Sequence, residues 1–388
     1  MSKFLSRKEW LEISILFVFY RLIIFIFSLV ASSRLFVSLD KAYPWIPDNP
    51  WLPTYLPDWM THLIHWDSGW YLSIVEHGYY YTATASNTAF FPLYPLLMKF
   101  VSLTGIDPLI SGLIISHLTL FGAIIFLYKL ANLDLNQKKS LRAVFLLLLF
   151  PTAFFFLSVY TESLFLFLIA SSFYFARKNK YLLASILAMF SAATRSVGIL
   201  MLIVLLVEYL EYRNFKFRDI KVNILNLLLI PLGIISYMIF LWNKFGDPLT
   251  FINAQKVWSR ELGEGIIGFF STLTTYFNDF LTMLTGGQAY HLANSFDFIA
   301  FVLFFVLAII IAIRFRVSYG LMMVLFLLAS SVTGTLISTT RYVIVLFPAF
   351  IYLARVLKRE YLYIMVLVTS VLLYALFLNM FLNNYWVG

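Results

Sequence analysis

Apolar residues in this chain come in long runs rather than in strict alternation. Eleven runs approach the ~20 residues that a membrane-crossing helix needs. They cover 11–31, 108–130, 141–158, 161–176, 181–194, 197–212, 222–242, 296–313, 318–336, 342–356 and 361–382. The pattern predicts an all-α, polytopic membrane protein in which residues 1–388 form one transmembrane unit. Two long stretches, 32–107 and 243–295, separate the runs and are expected to be loops outside the bilayer.

The first of these loops carries helical signals of its own. In "DSGWYLSIVEHG" Asp67 stands as an N-cap and Gly78 as a C-terminal stop for a helix over Ser68–His77. Trp70, Tyr71, Ile74 and Val75 fall on one face, so this amphipathic helix is expected to lie along the outer membrane surface. "FFPLYP", Phe90–Pro95, then forces an extended turn. The following "LLMKFVSL" is too short to span and is expected to rest on the bilayer or dip into it.

Composition sharpens this picture. The chain is 62% hydrophobic and 12% charged, whereas a soluble domain is about half apolar and a quarter charged. With no cysteine in the chain, disulfides, thiolate metal ligands and cysteine nucleophiles are excluded. The net charge of +9 sits in short loops between apolar runs, a pattern of topology and lipid-headgroup contact rather than of nucleic-acid binding. Nineteen of the 28 lysines and arginines fall on the side of the N-terminus, eight on the other, and Arg21 within the first run. The bias places the N-terminus in the cytosol and both long loops outside. The run Leu11–Val30 exceeds the ~7–15 residues of a signal-peptide core and reads as an uncleaved first span.

The few outer charges cluster near polar motifs. Asp67 reads equally as a helix cap or as a reactive carboxylate. Glu162, in "YTESLF", sits at an outer helix end; an acid beside an apolar span is a functional candidate, against the alternative of a solvated acid favoured by the helix dipole. Arg195, in "RSVG", and Arg341, in "RYVIVLFP", each suit a snorkelling anchor, and together they suit a phosphate site. Lys256 and Arg260 in "GDPLTFINAQKVWSR" fit a headgroup-binding surface at least as well. His62, His117 and His291 show no ligand spacing, so no metal site is expected.

Four ordered motifs resemble those of the PIG-V-like mannosyltransferases, which belong to the GT-C membrane glycosyltransferases. They are "HWDSGWYLSIVEHGYYY" with "AFFPLYP", then Pro151–Phe165, Arg195–Gly198 and Arg341–Pro348. The Gly246–Arg260 stretch is similar to the prokaryotic branch. The resemblance implies a GT-C fold and a polyprenyl- or dolichyl-phosphate-linked donor, usually of mannose. It also implies inversion at the anomeric carbon, with Asp67 as base. His65, Trp66, Glu76, His77 and Glu162 become candidates for substrate contact by the same resemblance. So do Arg195, Lys256, Arg260, Arg341 and Tyr342. A lipid monophosphate leaves without a proton from a general acid, so one carboxylate suffices, and arginines can balance its charge without a divalent metal or other cofactor. The expected partners are the bilayer, the lipid-linked donor and a glycan, glycolipid or protein acceptor. Transfer of another sugar, such as arabinose or glucose, stays open. From a different class, so does a transporter or lipid flippase, although the polar motifs gather at one membrane face rather than at the midplane.

Overall fold

The computed structural model describes residues 5–34, 63–82, 86–258, 265–286, 289–331, 334–383 and 385–387. Among them there is no strand, only an isolated bridge between Tyr81 and Ser86. The helices run α1 (Arg7–Arg34), α2 (Asp67–His77), α3 (Leu93–Ser102), α4 (Pro108–Ala131) and α5 (Gln137–Leu148). After these come α6 (Glu162–Arg177), α7 (Tyr181–Thr194), α8 (Met201–Tyr212) and α9 (Leu232–Phe245). The last five are α10 (Gly265–Leu284), α11 (Ala289–Arg314), α12 (Val317–Ser331), α13 (Phe347–Val356) and α14 (Glu360–Leu382).

All eleven predicted runs contain helix, but they are not eleven uninterrupted spans. Five stretches among the described residues are long and apolar enough to cross a membrane: Arg7–Val30, Pro108–Ala131, Val222–Phe245, His291–Arg314 and Glu360–Leu382. A sixth is the pair Thr339–Val345 and Phe347–Val356, bent by 71°. The shorter helices fill the bundle between them, α4 packing on α6, α6 on α7 and α11 on α12.

The breaks have local causes, and they position the polar residues. The predicted run 141–158 stops at Leu148 because Pro151 has no N–H and disfavours helix at the residue before it. The chain then turns through a 3₁₀ segment, Ala153–Leu157, whose Phe154, Phe155 and Phe156 are fully buried. It restarts at Glu162, which puts that acid at the very beginning of α6. α7 ends at Arg195, an extended residue (φ −150°, ψ 143°). The glycine of "RSVG" is sterically required there, since a Cβ on Gly198 would come within 2.4 Å of the Ser191 backbone. α4 begins as its sequence dictates, with Pro108 in the first turn and Asp107 accepting from the Leu109 and Ile110 N–H groups at 2.8 and 3.2 Å.

Two expectations for the first loop are corrected. α2 begins at Asp67 itself, behind Trp66, and no side chain caps it. Ser68 through Val75 are all buried, so α2 is embedded in protein instead of lying on the membrane surface. Its second face is closed by small polar residues that meet neighbours closely: the Ser68 hydroxyl bonds the Val159 carbonyl at 3.3 Å, and Asn87 Nδ2 donates to the Ser73 hydroxyl at 3.1 Å. The stop at Gly78 is as expected, with φ +78° and its N–H bonded to the Ile74 carbonyl. α3 keeps Leu96 and Phe100 exposed and Tyr94 and Met98 buried, as a short helix at a bilayer surface would.

Charge is gathered at two opposite ends of the bundle. α6 carries Glu162 in its first turn and Arg177 in its last, roughly 22 Å apart at helical rise. Arg177 bonds Asp134 at 2.9 Å and approaches Glu208 at 3.6 Å, and Arg316 bonds the fully buried Glu208 at 2.9 Å. Arg142 is paired with Glu360. Several cations that read as loop charges in the sequence are therefore locked into ion pairs that clamp helix ends together.

Candidate active site

At the other end of α6 four chain segments converge. Arg341 Nη1 bonds Asp67 Oδ2 at 2.6 Å, and its Nε lies 3.4 Å from Glu162 Oε1. The same Glu162 oxygen accepts from Arg195 Nη1 at 2.9 Å, and that nitrogen also reaches the Thr161 hydroxyl at 3.4 Å. Two carboxylates and two guanidiniums thus alternate in one cluster, with formal charges that cancel. Glu162 is only 1% exposed, so it is not the solvated helix acid that its position allowed. Its Oε2 is buried with no hydrogen-bond partner. Arg341 is nearly as buried, whereas Asp67 and Arg195 keep some solvent access at 24% and 20%.

Aromatic rings wall the cations. Tyr342 lies under both guanidiniums, 4.8 Å from that of Arg195 and 5.2 Å from that of Arg341. Tyr160 and Phe155 lie 5.2 and 5.7 Å from Arg341. Such contacts strengthen as water is excluded. The Tyr160 hydroxyl donates to the His65 carbonyl at 3.0 Å, tying the start of the Asp67 motif to the segment that leads into Glu162. Burial, reinforced by the Asp67 carboxylate, pushes the Tyr71 and Tyr160 phenols far above their ordinary range. Both are therefore neutral hydroxyls near neutral pH.

Trp66 holds a left-handed backbone, φ 44°, which is uncommon for a non-glycine residue and costs about 1–3 kcal/mol. Its ring is packed 5.0 Å from Trp386 and 5.3 Å from Phe381, and the His65 ring is 5.1 Å from Phe381. The strained residue immediately precedes Asp67, so this aromatic packing sets the direction in which Asp67 leaves the chain.

The remaining candidates lie apart from this cluster. Glu76 and His77 form an exposed pair at 3.7 Å at the far end of α2, about 13 Å from Asp67 at helical rise. Lys256 is exposed on the turn Ala254–Trp258 and joins none of the cluster's bonds. Arg260 lies outside the described residues. Among the described residues, no three or more histidine, aspartate or glutamate side chains form a group able to hold a metal ion. Sequence reasoning passed over Asp297 and Trp386. A lone acid at the edge of the run 296–313 was the available signal for the first, and nothing in the local pattern signalled the second.

The architecture is that of the GT-C membrane proteins. ArnT of Cupriavidus metallidurans, solved with undecaprenyl phosphate bound, superposes with a TM-score of 0.50 at 13% identity, covering 97% of this chain and 76% of its own. That likeness is one of fold. The chain itself belongs to the mannosyltransferase (PIG-V) family, whose model matches residues 10–241. The matched segment contains Asp67, Glu162 and Arg195, while Arg341 and Tyr342 lie beyond it. GPI mannosyltransferase 2 of Drosophila pseudoobscura pseudoobscura is 31% identical over 129 residues, which cover 30% of this chain and 28% of that relative.

Proposed function

We propose that the protein is a membrane glycosyltransferase that moves mannose from a polyprenyl-phosphate donor to an acceptor hydroxyl, with inversion at the anomeric carbon. The observation that carries this reading is the Asp67–Arg341–Glu162–Arg195 cluster. It places a partly accessible carboxylate beside two cations at one end of a bundle built for lipid.

In the reaction Asp67 takes the proton of the acceptor hydroxyl as that oxygen attacks the anomeric carbon. The bond from that carbon to the phosphate oxygen breaks, and its electron pair leaves with the lipid phosphate. Arg341 and Arg195 face the charge that develops there. Arg341 bonds Asp67 directly. A donor phosphate competes for the same guanidinium, so binding the donor also releases the base. Glu162 stays behind as the counter-charge that keeps both arginines in place. Family membership supports mannose as the sugar, and the lipid on ArnT supports a polyprenyl-phosphate carrier.

The test is incubation of the purified protein with polyprenyl-phosphate sugars bearing mannose, glucose or arabinose, following release of polyprenyl phosphate. Release from the mannosyl donor, dependent on acceptor, is expected. Release from none of the three, alongside protein-dependent movement of lipid-linked sugar across vesicles, would replace this reading with a flippase.

A further inference from the structure

We infer that Asp297 is a positioning residue for Arg341, a role that rests on the reading of Arg341 as the donor-phosphate cation. Asp297 lies nine residues into α11 and is 1% exposed. A carboxylate buried within an apolar membrane helix is costly and is kept where its charge is used.

Its use is visible in its partners. Oδ2 accepts from the Ser338 N–H at 3.0 Å, and Oδ1 accepts from the Thr340 N–H at 2.8 Å and the Thr340 hydroxyl at 2.9 Å. These three donors belong to the short stretch that leads directly into Arg341. Ser338 holds φ +71°, a left-handed backbone that a non-glycine residue keeps only where its surroundings over-determine it. Asp297 holds the N–H of that same residue. From the opposite side the Thr152 hydroxyl donates to the Thr340 carbonyl at 2.7 Å. Thr340 is thus pinned between α11 and the chain break at Pro151, and Arg341 is the next residue. Its guanidinium arrives 2.6 Å from Asp67 from a turn that Asp297 has fixed.

An amide in place of this carboxylate keeps one acceptor oxygen and turns an NH₂ group toward a donor. The turn must then relax, and Arg341 with it. A displaced guanidinium loses a charge-assisted hydrogen bond to the donor phosphate, which costs about tenfold or more in donor affinity.

The experiment uses the full chain in detergent and two readouts: binding of polyprenyl monophosphate alone, and steady-state kinetics with polyprenyl-phosphate mannose. Asp297→Asn is expected to weaken monophosphate binding and to raise the donor KM by about tenfold or more, leaving the acceptor KM within about twofold. A folded Asp297→Asn protein with unchanged monophosphate binding and donor KM overturns the inference. Should Asp297→Asn fail to fold, Thr340→Val removes one of the three bonds and is judged by the same two readouts. Absence of monophosphate binding to the wild-type chain would instead refute the reading of Arg341, and the inference would fall with it.

Discussion

Arg341 and Asp67 are separated by 274 residues in sequence and by 2.6 Å in space. The pair is formed from a bent helical segment and the first turn of a buried helix, and Glu162 ties it to Arg195. Each member of the cluster therefore has a role that can be separated from the others by substitution.

Asp67→Asn should lower turnover by about 10²–10⁴-fold with donor binding retained, and the thermal midpoint should fall as well because the carboxylate pairs with buried Arg341. The Asp67 side chain does not cap α2, so the loss cannot be assigned to a lost cap. Turnover in purified, monodisperse protein is the measurement, and near-wild-type turnover would falsify the assignment of the base.

Arg341→Ala strips a buried cation from between two carboxylates. Breaking a buried ion pair from one side costs about 3–5 kcal/mol, so a lowered thermal midpoint should accompany loss of donor use. Arg341→Lys should restore stability better than activity, because an ammonium cannot address Asp67 and Glu162 as a planar fork does. Full recovery of donor KM with lysine would argue that only the charge matters.

Glu162→Gln keeps the shape and removes the charge between two guanidiniums. Stability should fall by roughly 1.5–3 kcal/mol, the range for hydrogen bonds to charged groups. A solvated acid at a helix start would contribute only about 0.3–1 kcal/mol. Thermal unfolding in detergent distinguishes the two, and a shift at the lower limit would contradict the buried bridge described here.

The absence of cysteine makes the chain its own background for accessibility labelling. Thr104→Cys, on the side of the candidate site, should react with an impermeant thiol reagent in intact cells. Asn132→Cys, at the opposite end of α4, should react only after permeabilisation. The reverse pattern would invert the topology inferred from the positive charges.

Much of the site could be read from the sequence because its residues sit in short motifs at helix breaks. Pro151 ends α5 and so delivers Glu162, while Gly198 is needed where α7 gives way beside Arg195. What the local pattern missed depends on packing from a distance. Trp70, Tyr71, Ile74 and Val75 announce one apolar face of α2, but Ser68 and Ser73 do not announce that the other face is buried too. Their hydroxyls are satisfied by Val159 and Asn87, partners 91 and 14 residues away. Asp297 was obscure for the same reason, since its bonds go 41 and 43 residues ahead.

The long separation of Asp67 from Arg341 also sets an order of biogenesis. Asp67, Glu162 and Arg195 leave the ribosome well before Arg341 is made. Until the turn Thr339–Tyr342 is inserted, the cluster holds two carboxylates and one guanidinium, with one negative charge in excess. The last third of the chain neutralises it on arrival.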